Sequence, residues 1–189
     1  MILRLIILVC AMAVINIAAQ VSANEAISIG RTNLVLGMDK DKVIKLLEVD
    51  YKLSPIEEGT DSLDINPKTY VYPITPTSFG QIIFLKKKLA LVTKYWGSYS
   101  NSQGREAFSA FFSVLESIGA NSTKKAEITT VTSKSPNLTN YKIHIIIGGR
   151  TIEMQNVELP SVGMQTMISE TIISDNLVKQ WEINRTLNK

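Results

Sequence analysis

Two stretches constrain what this chain can fold into. In "QIIFLKKKLALVTKYW", residues 81–96, two apolar runs flank Lys86, Lys87 and Lys88. In "NYKIHIIIGGRTIEMQNVEL", residues 140–159, two β-rich runs flank Gly148 and Gly149. A two-residue glycine turn between such runs is a strong hairpin signal, because both turn positions take positive φ. Each hairpin follows an amphipathic helix. In "LVLGMDKDKVIKLLEV", Val43, Leu46 and Leu47 fall at helical spacing and Ile44 widens their stripe. Asp39 stands where an N-cap belongs, which predicts a helix over 40–48. In "REAFSAFFSVLESIGA", Ala107, Phe108, Phe111, Phe112, Leu115 and Ile118 form a second stripe, with Gly119 placed to end it.

The remaining segments fit between these. "AISIGRTNLVLG" is an extended opening segment. Residues 54–67, with two prolines, a glycine and four acids, read as loop. "KTYVYPI" reads as a short strand ending near Pro73, and "AEITTVTSK" as another strand. The polar stretch "GSYSNSQG" joins two units, 26–97 and 104–160. In the tail, 161–189, Met164, Met167, Ile168, Thr171 and Ile172 make a helical stripe. Asp175 is placed to cap a further turn or two containing Leu177, Val178 and Trp181. The expected fold is therefore α+β. Two helix-plus-three-strand units share an antiparallel sheet, with helices on one face, an open concave face opposite, and a helical tail.

The first residues, "MILRLIILVCAMAVINIAAQVSANE", carry one positive charge, an apolar run and the small-residue site "VSA". They read as a secretory signal peptide, 1–23, cleaved after Ala23. The run is shorter than the about 20 apolar residues of a spanning helix. Val9 before Cys10 argues against lipid attachment, since a small residue is needed there. The domain that follows, 24–189, has no cysteine, although export would allow disulfides. Periplasmic or secreted localisation, in a bacterial setting, is expected. Of 20 basic side chains one is Arg4, which leaves 19 against 17 acids after cleavage. That balance excludes a dedicated nucleic-acid binder. No later segment is long and apolar enough to span a bilayer as a helix.

The segment "LGMDKDKVIKLL" resembles the opening of the β-lactamase-inhibitor-protein-like fold, a group that includes the outer-membrane assembly lipoproteins of the SmpA/OmlA type. There a "GM", a polar cap and a short "xxVxxLLG" helix lead into a hairpin of the form "F-x-D/N-G-K-L". This chain matches at Gly37, Met38, Asp39, Val43, Leu46, Leu47, Phe84, Lys88 and Leu89. It departs at Glu48, where the helix-ending glycine would be, and at Leu85, Lys86 and Lys87, where the turn would be. The resemblance covers about a third of the chain. It implies a role in binding other proteins on the sheet face.

Catalytic signatures are lacking. His144 is the one histidine, on a strand whose alternation puts it opposite Tyr141, Ile143 and Ile145. No nucleophile motif accompanies it. Glu57, Glu58, Asp61 and Asp64 share one stretch without a calcium-loop spacing. No metal, nucleotide or other cofactor motif is present. Lys86, Lys87 and Lys88 suit a soluble hairpin tip, or a peripheral contact with an anionic envelope surface. The candidate binding residues are aromatic: Tyr70, Tyr72, Tyr95, Trp96 and Tyr99. Tyrosine and tryptophan are favoured interface residues. Tyr70 and Tyr72 alternate onto one face, and so do Tyr95 and Tyr99 by simple count. The expected function is a non-enzymatic module that binds a protein partner through its sheet. The alternatives are a small-ligand or lipid binder, with a pocket between sheet and helices, and a hydrolase without a recognisable motif.

Overall fold

Strands, not helices, dominate the computed structural model, which describes residues 26–56, 60–68, 78–119, 126–135, 138–159 and 163–187. The opening segment is a hairpin of β1 (Ala26–Ile29) and β2 (Thr32–Val35). Its turn has Gly30 at φ 56°, and a Cβ there would overlap the Tyr51 hydroxyl. Both backbone and packing thus require glycine. Helix α1 (Lys40–Leu47) follows, then β3 (Tyr51–Pro55), β4 (Ser62–Pro67), β5 (Gly80–Leu85) and β6 (Lys88–Ser100). Helix α2 (Gly104–Gly119) leads into β7 (Ala126–Ser135), β8 (Leu138–Ile147), β9 (Arg150–Leu159) and β10 (Gly163–Ile173). Helix α3 (Asp175–Leu187) ends the described chain.

The protein is α+β. Eight strands form one antiparallel sheet in the order β3-β4-β5-β6-β10-β9-β8-β7. Both predicted hairpins are present. Lys86 and Lys87 turn the β5–β6 hairpin at φ 51° and 61°, and Gly148 and Gly149 turn β8–β9 at φ 60° and 86°. Two expectations fail. Among the described residues each of the two long helix-led stretches carries four strands, not three. Residues 54–67, read as loop, include the end of β3 and all of β4. Ile65 on β4 is fully buried, so one inward residue outweighed the acids and prolines around it. The expected strand "KTYVYPI" lies almost wholly outside the described residues.

The larger correction concerns the tail. Residues 163–173 are not helical but form β10, hydrogen-bonded to β6 on one side and β9 on the other. Thr166, Ile168, Glu170 and Ile172 are buried in strict alternation, a period of two that the methionine-rich stripe concealed. Only α3 is helical, and its cap is Ser174 rather than Asp175: Leu177 N–H donates to Ser174 Oγ at 3.4 Å.

Register places Ile82, Val92, Ile172, Ile168, Ile152 and Ile145 on one face of the sheet. Val43 and Leu47 of α1 pack on the β3–β6 end of that face, with the β1–β2 hairpin. Phe111 and Val114 of α2 pack on the β10–β8 end. Full burial of each such side chain contributes about 1.5–3 kcal/mol. The helix stripes are narrower than the sequence suggested. Leu46, Phe108 and Phe112 point outward, because a helix lying on a sheet buries little more than its i, i+4, i+7 line. Asp39 also differs from expectation. Its backbone carbonyl accepts from Val43, but its carboxylate bonds Lys88 at 2.8 Å instead of capping α1.

Candidate functional site

The face turned away from α1 and α2 is the candidate site. Its residues are the ones skipped by the core alternation: Thr93 and Tyr95 on β6, Met167, Ser169 and Thr171 on β10, Thr151, Glu153 and Gln155 on β9, Lys142 and His144 on β8. Among the described residues only α3 covers part of it, with Leu177 packed among Ala90, Leu91, Ile83, Leu85 and Ile173 at one end. The rest carries hydroxyls, amides and a few charges, as an antiparallel sheet wet on one side should.

Strand β6 carries a bulge that decides which aromatic residues reach this face. Tyr95 pairs with Ser169, but Gly97 pairs with Ile168, so Trp96 is the extra residue. An extra residue reverses the facing of everything beyond it. Tyr95 therefore points to the open face. Tyr99 points to the opposite face and packs with Phe111 and Ile168 beneath α2. The sequence-based expectation that Tyr95 and Tyr99 share a face is overturned. Trp96 turns its indole to Glu170 and Lys94 on the helix-bearing face and reaches the open face only at its rim. Its indole N–H donates to Glu170 Oε2 at 3.1 Å, and Lys94 Nζ lies 3.7 Å from its ring centre. Glu170 also pairs with Arg150, whose guanidinium donates to the Ala26 carbonyl. Burial pushes the Lys94 ammonium below its ordinary pKa, against the opposing pull of Glu170. Tyr70 and Tyr72 lie outside the described residues.

Tyr95 is the centre of two adjoining depressions. One, of about 250 Å³, is lined by Thr93, Thr151, Glu153, Gln155, Ser169 and Thr171 together with Tyr95 and Met167. The other, of about 360 Å³, is lined by Ser78, Phe79, Trp96, Gly97 and Ser98, again with Tyr95 and Met167. Between the sheet and α2, a depression of about 90 Å³ lies near Phe108, Met154 and Met164. The two depressions around Tyr95 are each larger than this one.

The electrostatics are local. Glu153 Oε1 accepts from Lys142 Nζ at 3.0 Å. His144 Nε2 sits 2.8 Å from Glu153 Oε2 as a close contact, without an aligned hydrogen bond. Asp64 Oδ1 on β4 is buried and has no hydrogen-bond partner. The Tyr95 phenol is pushed up to about 12, first by burial, then by the negative charge of Asp64 and Glu153. Tyr95 is therefore a neutral hydroxyl at physiological pH, able to donate or accept one bond. Thr93 and Thr171 hydroxyls share a 3.0 Å bond across the strands.

The sequence missed Met167, Ser169 and Thr171 as site residues because β10 was read as a helix. Glu153 and Gln155 carried a usable signal, since they alternate with Ile152 and Met154 in a predicted hairpin. Among the described residues no cluster of three or more His, Cys, Asp or Glu side chains is arranged to hold a metal ion. Among them no helix is long and apolar enough to cross a membrane. Comparison of the chain with protein-family models, with curated proteins and with solved structures finds no match to any of them.

Proposed function

We propose that this is an exported, non-enzymatic binding module that engages a protein partner through the open face of its sheet. The observation that carries the reading is the mixed-polarity surface around Tyr95 and Met167, which the described residues leave open, with Trp96 at its rim. Rigid strands present these residues, so little ordering entropy opposes binding. The chain order of helix then strands, twice over, supports a reading of two units joined through β6 and β10. The resemblance of the first helix to the β-lactamase-inhibitor-protein-like group favours the same surface. Export rests on the signal-like N-terminus, which lies outside the described residues.

The experiment is capture from envelope extracts with the tagged, processed protein and with two variants, Tyr95→Ala and Met167→Glu. A partner recovered by the unmodified protein and lost with both variants, at unchanged circular dichroism, supports the reading. A partner that both variants retain overturns the placement. The second reading, a small apolar or lipid ligand, is favoured by one observation: Phe79, Trp96 and Met167 together line the 360 Å³ depression. Lipid found by mass spectrometry on the purified protein, and absent from Met167→Glu, would select it.

A further inference from the structure

We infer that β7 is a self-association edge, at which a second copy of this chain adds its own β7 to extend the sheet. The two edges of the sheet are built differently. The β3 edge is five residues long, ends in Pro55 and has Tyr51 packed into the core. Short length and proline are the ordinary devices that stop an edge from pairing. The β7 edge, Ala126–Ser135, is ten residues long and contains no proline. Every residue from 126 to 134 is exposed, so among the described residues nothing covers either of its faces. Five consecutive positions, Ile128 to Thr132, are β-branched, and Ile128 and Val131 are 65% and 49% exposed. That is strand-forming sequence whose outer row of backbone donors and acceptors is paired with no described strand.

Symmetry and charge select the occupant. An antiparallel edge is complementary to itself through a two-fold axis, so one copy supplies all that another needs. Opposite residues of such a pair share a face. The axis must therefore pass through a residue, and full overlap of the strand puts it at Thr130 or Val131. The only charged residues on β7 are Glu127 and Lys134, at opposite ends. They lie on opposite faces of the sheet, so antiparallel self-pairing in either register places no like charges opposite. On the helix-bearing face, an axis at Thr130 sets Ile128 of one copy opposite Thr132 of the other, whose β8 neighbour is the exposed Tyr141.

The test uses sedimentation of the purified protein over a concentration series. The expected result is a mass that rises from one chain to two. Two double variants, Thr130→Lys with Val131→Lys and Thr130→Glu with Val131→Glu, place like charges opposite in either register. Each should stay at the mass of one chain, and an equimolar mixture of the two should return to two. Amide exchange over residues 129–132 should slow as concentration rises. The proposal is overturned if the unmodified protein stays at one chain throughout, even if the edge then takes an extended segment of a different protein. It is also overturned if both variants remain dimeric, or if their mixture stays at one chain while each variant keeps its native circular dichroism. The inference does not depend on the open face, whose partner is tested separately.

Discussion

Tyr95 and Tyr99, four residues apart on one strand, stand on opposite faces of the sheet. An unbroken strand would put them on the same face, since its side-chain period is two. The bulge at Trp96 inserts one residue against β10 and reverses the alternation. The two tyrosines therefore have different tasks, one on the open surface and one under α2.

That division has a measurable consequence. Tyr99→Ala should destabilise the fold by about 2–3 kcal/mol, because the half-buried ring packs against the cluster holding Phe111 and Ile168. Tyr95→Ala should cost about 1 kcal/mol or less, since its ring borders open depressions rather than core. Urea unfolding of the two variants beside the parent gives the comparison. Equal losses would contradict the opposite facing.

Alkali should unfold the protein partly through Tyr95. Its phenol is raised from 10 to about 12 by burial and by Asp64 and Glu153. A raised folded-state pKa means that the unfolded chain loses this proton first. The contribution is fully present below pH 10 and is lost as pH rises toward 12. Tyr95→Phe should flatten stability against pH in that window, and phenolate absorbance of the folded parent should show one late-titrating tyrosine that the variant lacks. An unchanged profile would contradict the assignment.

Arg150 holds a buried carboxylate. Glu170 is nearly inaccessible, and Arg150 is its ion-pair partner, with the Trp96 indole as a second donor. Arg150→Ala removes the ion-pair partner and leaves Glu170 only the Trp96 indole and the nearby Lys94 charge, which should cost about 3 kcal/mol. Arg150→Met combined with Glu170→Leu should recover most of the loss, because an apolar pair of similar volume avoids both desolvation penalties. A double-mutant cycle read by thermal melts would reveal the coupling.

The first hairpin depends on a single close approach. Gly30→Ala should destabilise by about 1–3 kcal/mol, combining a left-handed φ with overlap on the Tyr51 hydroxyl. Tyr51→Phe in the same chain should restore part of this by removing the overlapping oxygen. Chemical denaturation of the single and double variants tests the additivity; a purely additive pair would mean the backbone alone is responsible.

Local chemistry was legible in the sequence wherever neighbours in the chain are neighbours in space. The two hairpins, α1, α2 and the fold class were written in turn residues and helical spacing, since Gly148, Gly149 and the Val43–Leu47 repeat act within a few residues. The candidate site was only half legible. Tyr95 and Trp96 could be named as exposed-interface types, but nothing local marks a bulge or says which face of a strand a helix will cover.

What the tertiary structure alone decided is the centre of the sheet. Residues 163–173 carry a pattern compatible with a helix, and their pairing to β6 and β9, each distant in sequence, makes them a strand. That one non-local choice joins the two halves, aligns Met167, Ser169 and Thr171 beside Tyr95, and leaves β7 at the edge. Hydrogen bonds between segments so far apart are written in no short stretch of sequence. They follow from which alternation buries Ile168 and Ile172 while satisfying every backbone group between them.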